Sequence, residues 1–411
     1  MKVKILLIIF SWNVLFAESQ VMQQLHNTWH AVLERKDGKQ VVFQLEGKIE
    51  QGKTVLYVIN GAERIRITGV KKAGDSVFFE LPAFETSFRV LLQANGNMAG
   101  KFIKRTSGST QYWPFYAIAK QENRFTPGAG DAKNNISGRW DVSITRANGT
   151  IRKAMAVFEQ KGNKLTGSFL TPSADYRYLD GIVTGDSIFL SSFDGDNIRL
   201  FEAKIDNSYT ISGGTFYNGY TNKETWIAIR NDSAILPELN QPTRLRDGES
   251  RLDFIFKDLQ GQPVSINDDK FKNKVVVVQL MGSWCANCLD ETRFLSDYYK
   301  KNRSRGIEMI ALAYELTTDS SRSKRSVAKF RKLFDVQYPM LITGVAAGDE
   351  RKTEKTLPQL STINSFPTTI FIDKNGKVRE IHTNFYGPGS GEFYIASKNK
   401  FFKTVDGLVR E

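Results

Sequence analysis

Up to about residue 232 the apolar residues fall in short runs of near-alternating pattern. Gly, Asn, Asp or Lys breaks them every eight to twelve residues or so, the spacing of a sandwich or barrel. The runs at 41–45, 55–58, 77–79 and 88–92 are followed by others at 155–158, 165–169, 188–190, 198–201, 209–211 and 226–229. Each predicts a strand, and no long 3.6-residue period interrupts them. Residues 231–250, with Pro237 and Pro242, read as a polar linker. The pattern then changes. Residues 275–278 are four consecutive valines, a strand buried on both faces. A helix is predicted over 285–301, a second buried strand over 307–313 and an amphipathic helix over 326–334. Strands at 368–373 and 378–381 flank the hairpin turn Asn375-Gly376. A last helix starts near 393. Alternating strands and helices predict an α/β plan.

The strand-rich part is an internal repeat. Trp29 and Trp140 lie 111 residues apart. Gly74-Asp-Ser-Val-Phe78 and Gly185-Asp-Ser-Ile-Phe189 share that offset, as do Phe115-Tyr-Ala-Ile118 and Trp226-Ile-Ala-Ile229. Gly100-Lys-Phe102 matches Gly214-Thr-Phe216 with a small shift. The expected division is a signal peptide at 1–17, β-repeats at 18–130 and 131–232, a linker at 233–250 and an α/β domain at 251–411. Each repeat loosely resembles small up-and-down barrels of the lipocalin-like type. Tyr112, Trp113, Phe115, Tyr217 and Tyr220 are core or pocket aromatics, and no catalytic spacing is visible in the repeats.

Composition narrows the function. With 41% hydrophobic and 25% charged residues the chain is globular. The net charge of +13 comes from cations scattered among acids, which argues against nucleic acid. The densest basic run, Arg322 to Lys332, reads as a solvated helix face. Two cysteines and three histidines are too few for a disulfide scaffold or a Cys₄ or His-based zinc site. At the N-terminus, Lys2 and Lys4 precede an apolar run from Ile5 to Phe16 and then Ala17, the layout of a secretory signal. No cysteine lies near the cut for a lipid anchor. The expected location is the periplasm or cell envelope.

Both cysteines sit in Gly282-Ser-Trp-Cys285-Ala-Asn-Cys288-Leu-Asp-Glu291, after a buried strand and at the opening of a helix. Free N–H groups and a partial positive charge at a helix N-terminus favour thiolate at Cys285. Cys288, one turn on, can resolve a mixed disulfide formed there. On these residues, 251–411 resembles the thioredoxin superfamily, of the exported TlpA/ResA type. Ser365-Phe366-Pro367-Thr368 is a second mark of that family. The resemblance implies a cis bond at Pro367, and a substrate groove walled by Trp284, Phe366 and Pro367, with the Phe366 backbone free to pair with a substrate strand. Where thioredoxins proper carry a buried Asp, this chain has Gln279, which cannot act as a base. TlpA/ResA-type proteins instead carry a Glu three residues after the second Cys, here Glu291, which shares a helix face with Cys288. Asp290 is expected to be exposed.

The resemblance implies an exported thiol–disulfide oxidoreductase, expected to act as a reductant of protein disulfides. Cys285 would be the nucleophile, Cys288 the resolving thiol and Glu291 the proton relay. No cofactor and no metal are implied. Its partners would be protein disulfides or dithiols and a membrane thiol carrier supplying electrons, with client binding by the β-repeats. A peroxiredoxin motif is excluded, because Gly282 and Val278 stand where its Thr and Pro should be. A copper chaperone using His382 as distal ligand would need three residues between its cysteines. A second reading makes the β-repeats a ligand- or client-binding protein, with the Cys pair as redox sensor or minor activity.

Overall fold

The computed structural model describes residues 25–126, 130–236 and 239–411. The expected signal peptide and Pro237 lie outside them. The first nine strands are β1 (Thr28–Glu34), β2 (Gln40–Glu50), β3 (Lys53–Asn60), β4 (Glu63–Ile67), β5 (Lys71–Ala73), β6 (Ser76–Glu80), β7 (Thr86–Leu92), β8 (Met98–Arg105) and β9 (Thr110–Ala119). They form one antiparallel sheet in the order β4-β3-β2-β1-β9-β8-β7-β6-β5, which curls but stays open between β4 and β5. The next nine are β10 (Gly138–Thr145), β11 (Ile151–Lys161), β12 (Lys164–Thr171), β13 (Ala174–Asp175), β14 (Leu179–Thr184), β15 (Ser187–Phe193), β16 (Ile198–Asn207), β17 (Thr210–Asn218) and β18 (Asn222–Arg230). Here β11 pairs with both β10 and β12, so the sheet closes into an up-and-down barrel.

The repeat is visible residue by residue. Trp29 stands opposite Leu45 and Ala119, and Trp140 opposite Ala156 and Arg230, each partner 111 residues on. Both indoles cap a loop: Trp29 Nε1 donates to Gly96 O and Trp140 Nε1 to Ile136 O. Gly100 pairs with Phe115 and Gly214 with Trp226. The two glycines are therefore equivalent, and a bulge between Ile211 and Gly214 takes up part of the shift. The copies differ at closure. In the first, five-residue β4 covers the free edge of β3. In the second its counterpart shrinks to two-residue β13, and β12 keeps Lys164–Gly167 free to pair with β14.

The open sheet still needs its core covered, because apolar side chains left in water forfeit most of their stabilisation. The second copy supplies the cover. Phe193, Ile198 and Leu200 are buried in the core of the first sheet. The Phe193 ring lies 4.5 Å from Phe43 and edge-on to Phe102 at 5.3 Å. Polar groups also bond across this seam: Asn60 Nδ2 donates to Phe193 O and Ser191 Oγ to Val42 O. The two copies thus share a core. The barrel keeps its own as well, with Phe169, Phe201 and Phe216 stacked at its centre.

The third sheet contains β19 (Ile255–Asp258), β20 (Pro263–Ser265), β21 (Val275–Met281), β22 (Ile307–Ala313), β23 (Met340–Ile342), β24 (Thr368–Ile372) and β25 (Val378–His382), ordered β20-β19-β23-β22-β21-β24-β25. Strands β21, β22 and β23 are parallel, β24 runs antiparallel to β21, and β25 runs antiparallel to β24. The helices are α1 (Ala286–Asn302), α2 (Ser320–Leu333), α3 (Lys352–Thr356) and α4 (Glu392–Arg410). All seven residues of β21 are buried, and alternation sends them to two cores. Val275, Val277 and Met281 pack on the side of α1, α2 and α4, and Val276, Val278 and Leu280 on the other. Gln279 lies on the α1 side, a polar side chain in an apolar row. Among the described residues, no helix is long and apolar enough to cross a membrane.

Candidate redox site

Strand β21 ends at the loop that carries both cysteines into α1. The loop is pinned from the end of β22. Ser283 donates through N and Oγ to the buried Glu315 carboxylate at 2.8 and 2.6 Å, and Trp284 Nε1 donates to Tyr314 O at 2.8 Å. The indole folds back over Gly282, where an added Cβ would meet Trp284 Nε1 at 2.2 Å. Cys285 is the N-cap of α1, and the Cys288 N–H donates to its Sγ at 3.2 Å. One of the four orphan N–H groups of the helix is thereby aimed at the sulfur. Cys285 and Cys288 form a disulfide with Cα atoms 5.2 Å apart. Cys285 is 7% exposed and Cys288 fully buried.

The Phe366–Pro367 bond is cis, and the Phe366 carbonyl oxygen lies 3.5 Å from Cys285 Sγ. The Trp284 ring meets Phe366 edge-on at 5.9 Å, next to the cis bond. Glu291 is buried beneath it on α1. Its carboxylate accepts from Gln279 Nε2 at 2.7 Å and Thr369 Oγ1 at 2.6 Å. Burial pushes this carboxyl up to about 7, against the pull of those two donors. His382 sits away on β25, where its Nε2 bonds Glu380.

Two expectations need correction. Asp290 is not exposed. It is 4% exposed, and Arg177 of the barrel grips it through Nε at 2.9 Å and Nη2 at 3.0 Å. Arg177 also pairs with Glu63 of the first sheet and Asp194 of the barrel, so one guanidinium ties both β-repeats to α1. Nor is the basic run on α2 a solvated face throughout. Arg322 bonds Glu85 and Thr106 O, and Lys329 donates to Leu81 O and Phe84 O. The loop between β6 and β7 lies there because Ala83 and Phe84 bury into the α1-side core. The β-repeats also reach the candidate site. Asp175, at the end of β13, accepts from Asn287 Nδ2, inside the Cys-x-x-Cys spacer, at 3.0 Å and from the Gly387 N–H. The approach is close: a Cβ on Gly387 would fall 2.4 Å from Asp290 Oδ2, and one on Gly389 2.6 Å from the Arg177 carbonyl carbon.

A sheet of this order, a cis-proline loop and a Cys-x-x-Cys pair capping a helix define a thioredoxin-fold dithiol protein. The Redoxin family model matches residues 246–389. Thiol-disulfide oxidoreductase ResA of Bacillus cereus is 30% identical over 166 residues, covering 40% of this chain and 76% of that one. ResA of Bacillus subtilis is 25% identical over 139 residues, 34% of this chain and 68% of that one. A crystal structure of a putative thiol:disulfide interchange protein DsbE from Chlorobium tepidum aligns over 40% of this chain and 99% of its own, with 19% identity and a TM-score of 0.31. The chain belongs to the ResA-type thiol-disulfide oxidoreductases, with two β-repeats ahead of the Redoxin region.

Proposed function

We propose that this is an exported thiol–disulfide oxidoreductase acting in the periplasm or cell envelope as a reductant of protein disulfides. The single observation that carries the reading is the Cys288 N–H directed at Cys285 Sγ where α1 begins. In the reduced chain the Cys285 thiolate attacks one sulfur of a substrate disulfide. That S–S bond breaks, a substrate thiolate leaves, and a mixed disulfide forms. Cys288 then loses its proton and attacks Cys285 Sγ, which releases the second substrate thiol. Two electrons pass to the substrate, and the Cys285–Cys288 bond forms. Glu291, fully buried three residues beyond Cys288, takes the Cys288 proton. Trp284, Phe366 and Pro367 form the groove wall against which the substrate lies.

Residues 251–411 carry this chemistry and 18–232 contact the client. The chain has no other cysteine, so its dithiol is restored by an external dithiol, in this reading a membrane thiol carrier. The test is trapping. The full chain with Cys288→Ser, reduced and mixed with a disulfide-bonded protein such as insulin, should accumulate a mixed disulfide through Cys285. Cys285→Ser should trap none. Equal trapping by both variants, or by neither, would overturn the assignment.

A further inference from the structure

The cysteine turn is not completed by the redox domain alone. Asn287, in the spacer between the cysteines, is 8% exposed, and its side-chain amide donates to Asp175 of the second barrel. Asp175 is itself 1% exposed and held from three directions: the Asn287 amide, the Arg177 N–H and the Gly387 N–H all donate to it. Arg177, two residues on, forks onto Asp290 in the second turn of α1. The barrel therefore fixes a carboxylate against the opening turn of the helix whose N-terminus faces Cys285.

Charge at that place has a consequence for the cysteine pair. The helix N-terminus stabilises the Cys285 thiolate through its free N–H groups and partial positive charge. A carboxylate bonded to the same turn competes with the thiolate for that stabilisation. When the reduced form is less stabilised, the disulfide is favoured and the couple becomes more reducing. Resting on the oxidoreductase reading above, we propose that Asp175 is a positioning residue lent by the second barrel, holding the Cys-x-x-Cys turn through Asn287 and keeping the Cys285–Cys288 couple more reducing. Burial, with Asp290 beside it, pushes the Asp175 carboxyl up to about 6, so it is ionised at pH 7.5. The other charged or titratable groups facing it are Arg177, Arg199 and Tyr386.

The test uses the full chain and four proteins: wild type, Asp175→Asn, Asn287→Ala and Asn287→Asp. Each is titrated against glutathione at pH 7.5, and the Cys285 thiol pKa is read from the pH dependence of iodoacetamide alkylation. Asp175→Asn removes the charge. It should lower the equilibrium constant for disulfide formation about tenfold, a rise of about 30 mV in potential, and lower the Cys285 pKa. Asn287→Asp adds a charge at the same contact and should move both quantities the opposite way relative to Asn287→Ala. A contact that merely holds the domains together would be loosened by both substitutions and predicts shifts of the same sign. Shifts of the same sign, or none beyond twofold, overturn the proposal. Should Asp175→Asn fail to fold, the sign of Asn287→Asp against Asn287→Ala decides. If wild type itself shows no reversible couple, the oxidoreductase reading has failed instead.

Discussion

Glu291→Gln changes one atom of a fully buried carboxyl and should reshape the pH dependence of stability. The carboxyl titrates at about 7 in the folded chain, against an ordinary value of 4.5. Between those limits the folded state binds more protons than the unfolded one, so stability falls as pH rises through the interval. Two and a half units at about 1.4 kcal/mol each gives a loss of about 3.5 kcal/mol, complete by pH 8 or so. Glutamine removes that slope. Its amide keeps one acceptor for Gln279 Nε2, and the Thr369 hydroxyl can turn to accept from the new NH₂. The substitution should therefore cost only about 1 kcal/mol at pH 4.5, where Glu291 is protonated. At pH 8.5 the variant should be the more stable by about 2.5 kcal/mol. The assay is urea unfolding of the oxidised chain, wild type against variant, at half-unit steps from pH 4.5 to 8.5. Taking the difference removes the contribution of other buried acids such as Asp175 and Glu315. A difference that stays flat across the range would refute the argument that burial sets the Glu291 pKa.

Other consequences follow from the same geometry. Arg177→Met strands Glu63, Asp194 and Asp290 together in a buried site and should cost about 3–5 kcal/mol, with faster hydrogen exchange in the first turns of α1. Phe84→Ala removes a buried ring where the first sheet meets the redox domain and should cost about 3 kcal/mol; an unchanged midpoint would mean that the loop does not dock in solution. Reduced protein should be alkylated first at Cys285, because Cys288 is fully buried; mass spectrometry of peptides after brief iodoacetamide treatment reads the order.

The redox domain was legible because its signals are local. A run of valines, a Cys-x-x-Cys at a strand-to-helix junction, Phe366-Pro367 before a strand and Asn375-Gly376 in a hairpin each depend on near neighbours in sequence. The β-repeats were legible because one spacing of 111 residues recurs. Their different closure was not, since it turns on whether the strand after β3 is five residues long or two. The contacts of Asp175, Arg177 and Asp290 were hidden for a different reason. Asp290 follows a cysteine on a helix and reads as a solvated acid until a guanidinium from 113 positions earlier is placed on it. Asp175 and Arg177 fall where the first copy has Arg64 and Arg66, so the repeat gives no template for them. Lys329 likewise reads as surface charge, although its ammonium ends on two carbonyls of the loop between β6 and β7. Burial of charge at a domain junction is a property of the assembled chain, with no periodicity to announce it.

In the function proposed above, Cys285 and Cys288 form a working dithiol–disulfide couple that acts as a reductant. Redox titration of the purified chain in glutathione or dithiothreitol buffers tests it most directly. One reversible two-electron transition with a potential below about −220 mV is expected. A value near about −120 mV would mark an oxidant that installs disulfides, and the absence of any reversible two-electron transition would contradict the oxidoreductase assignment itself.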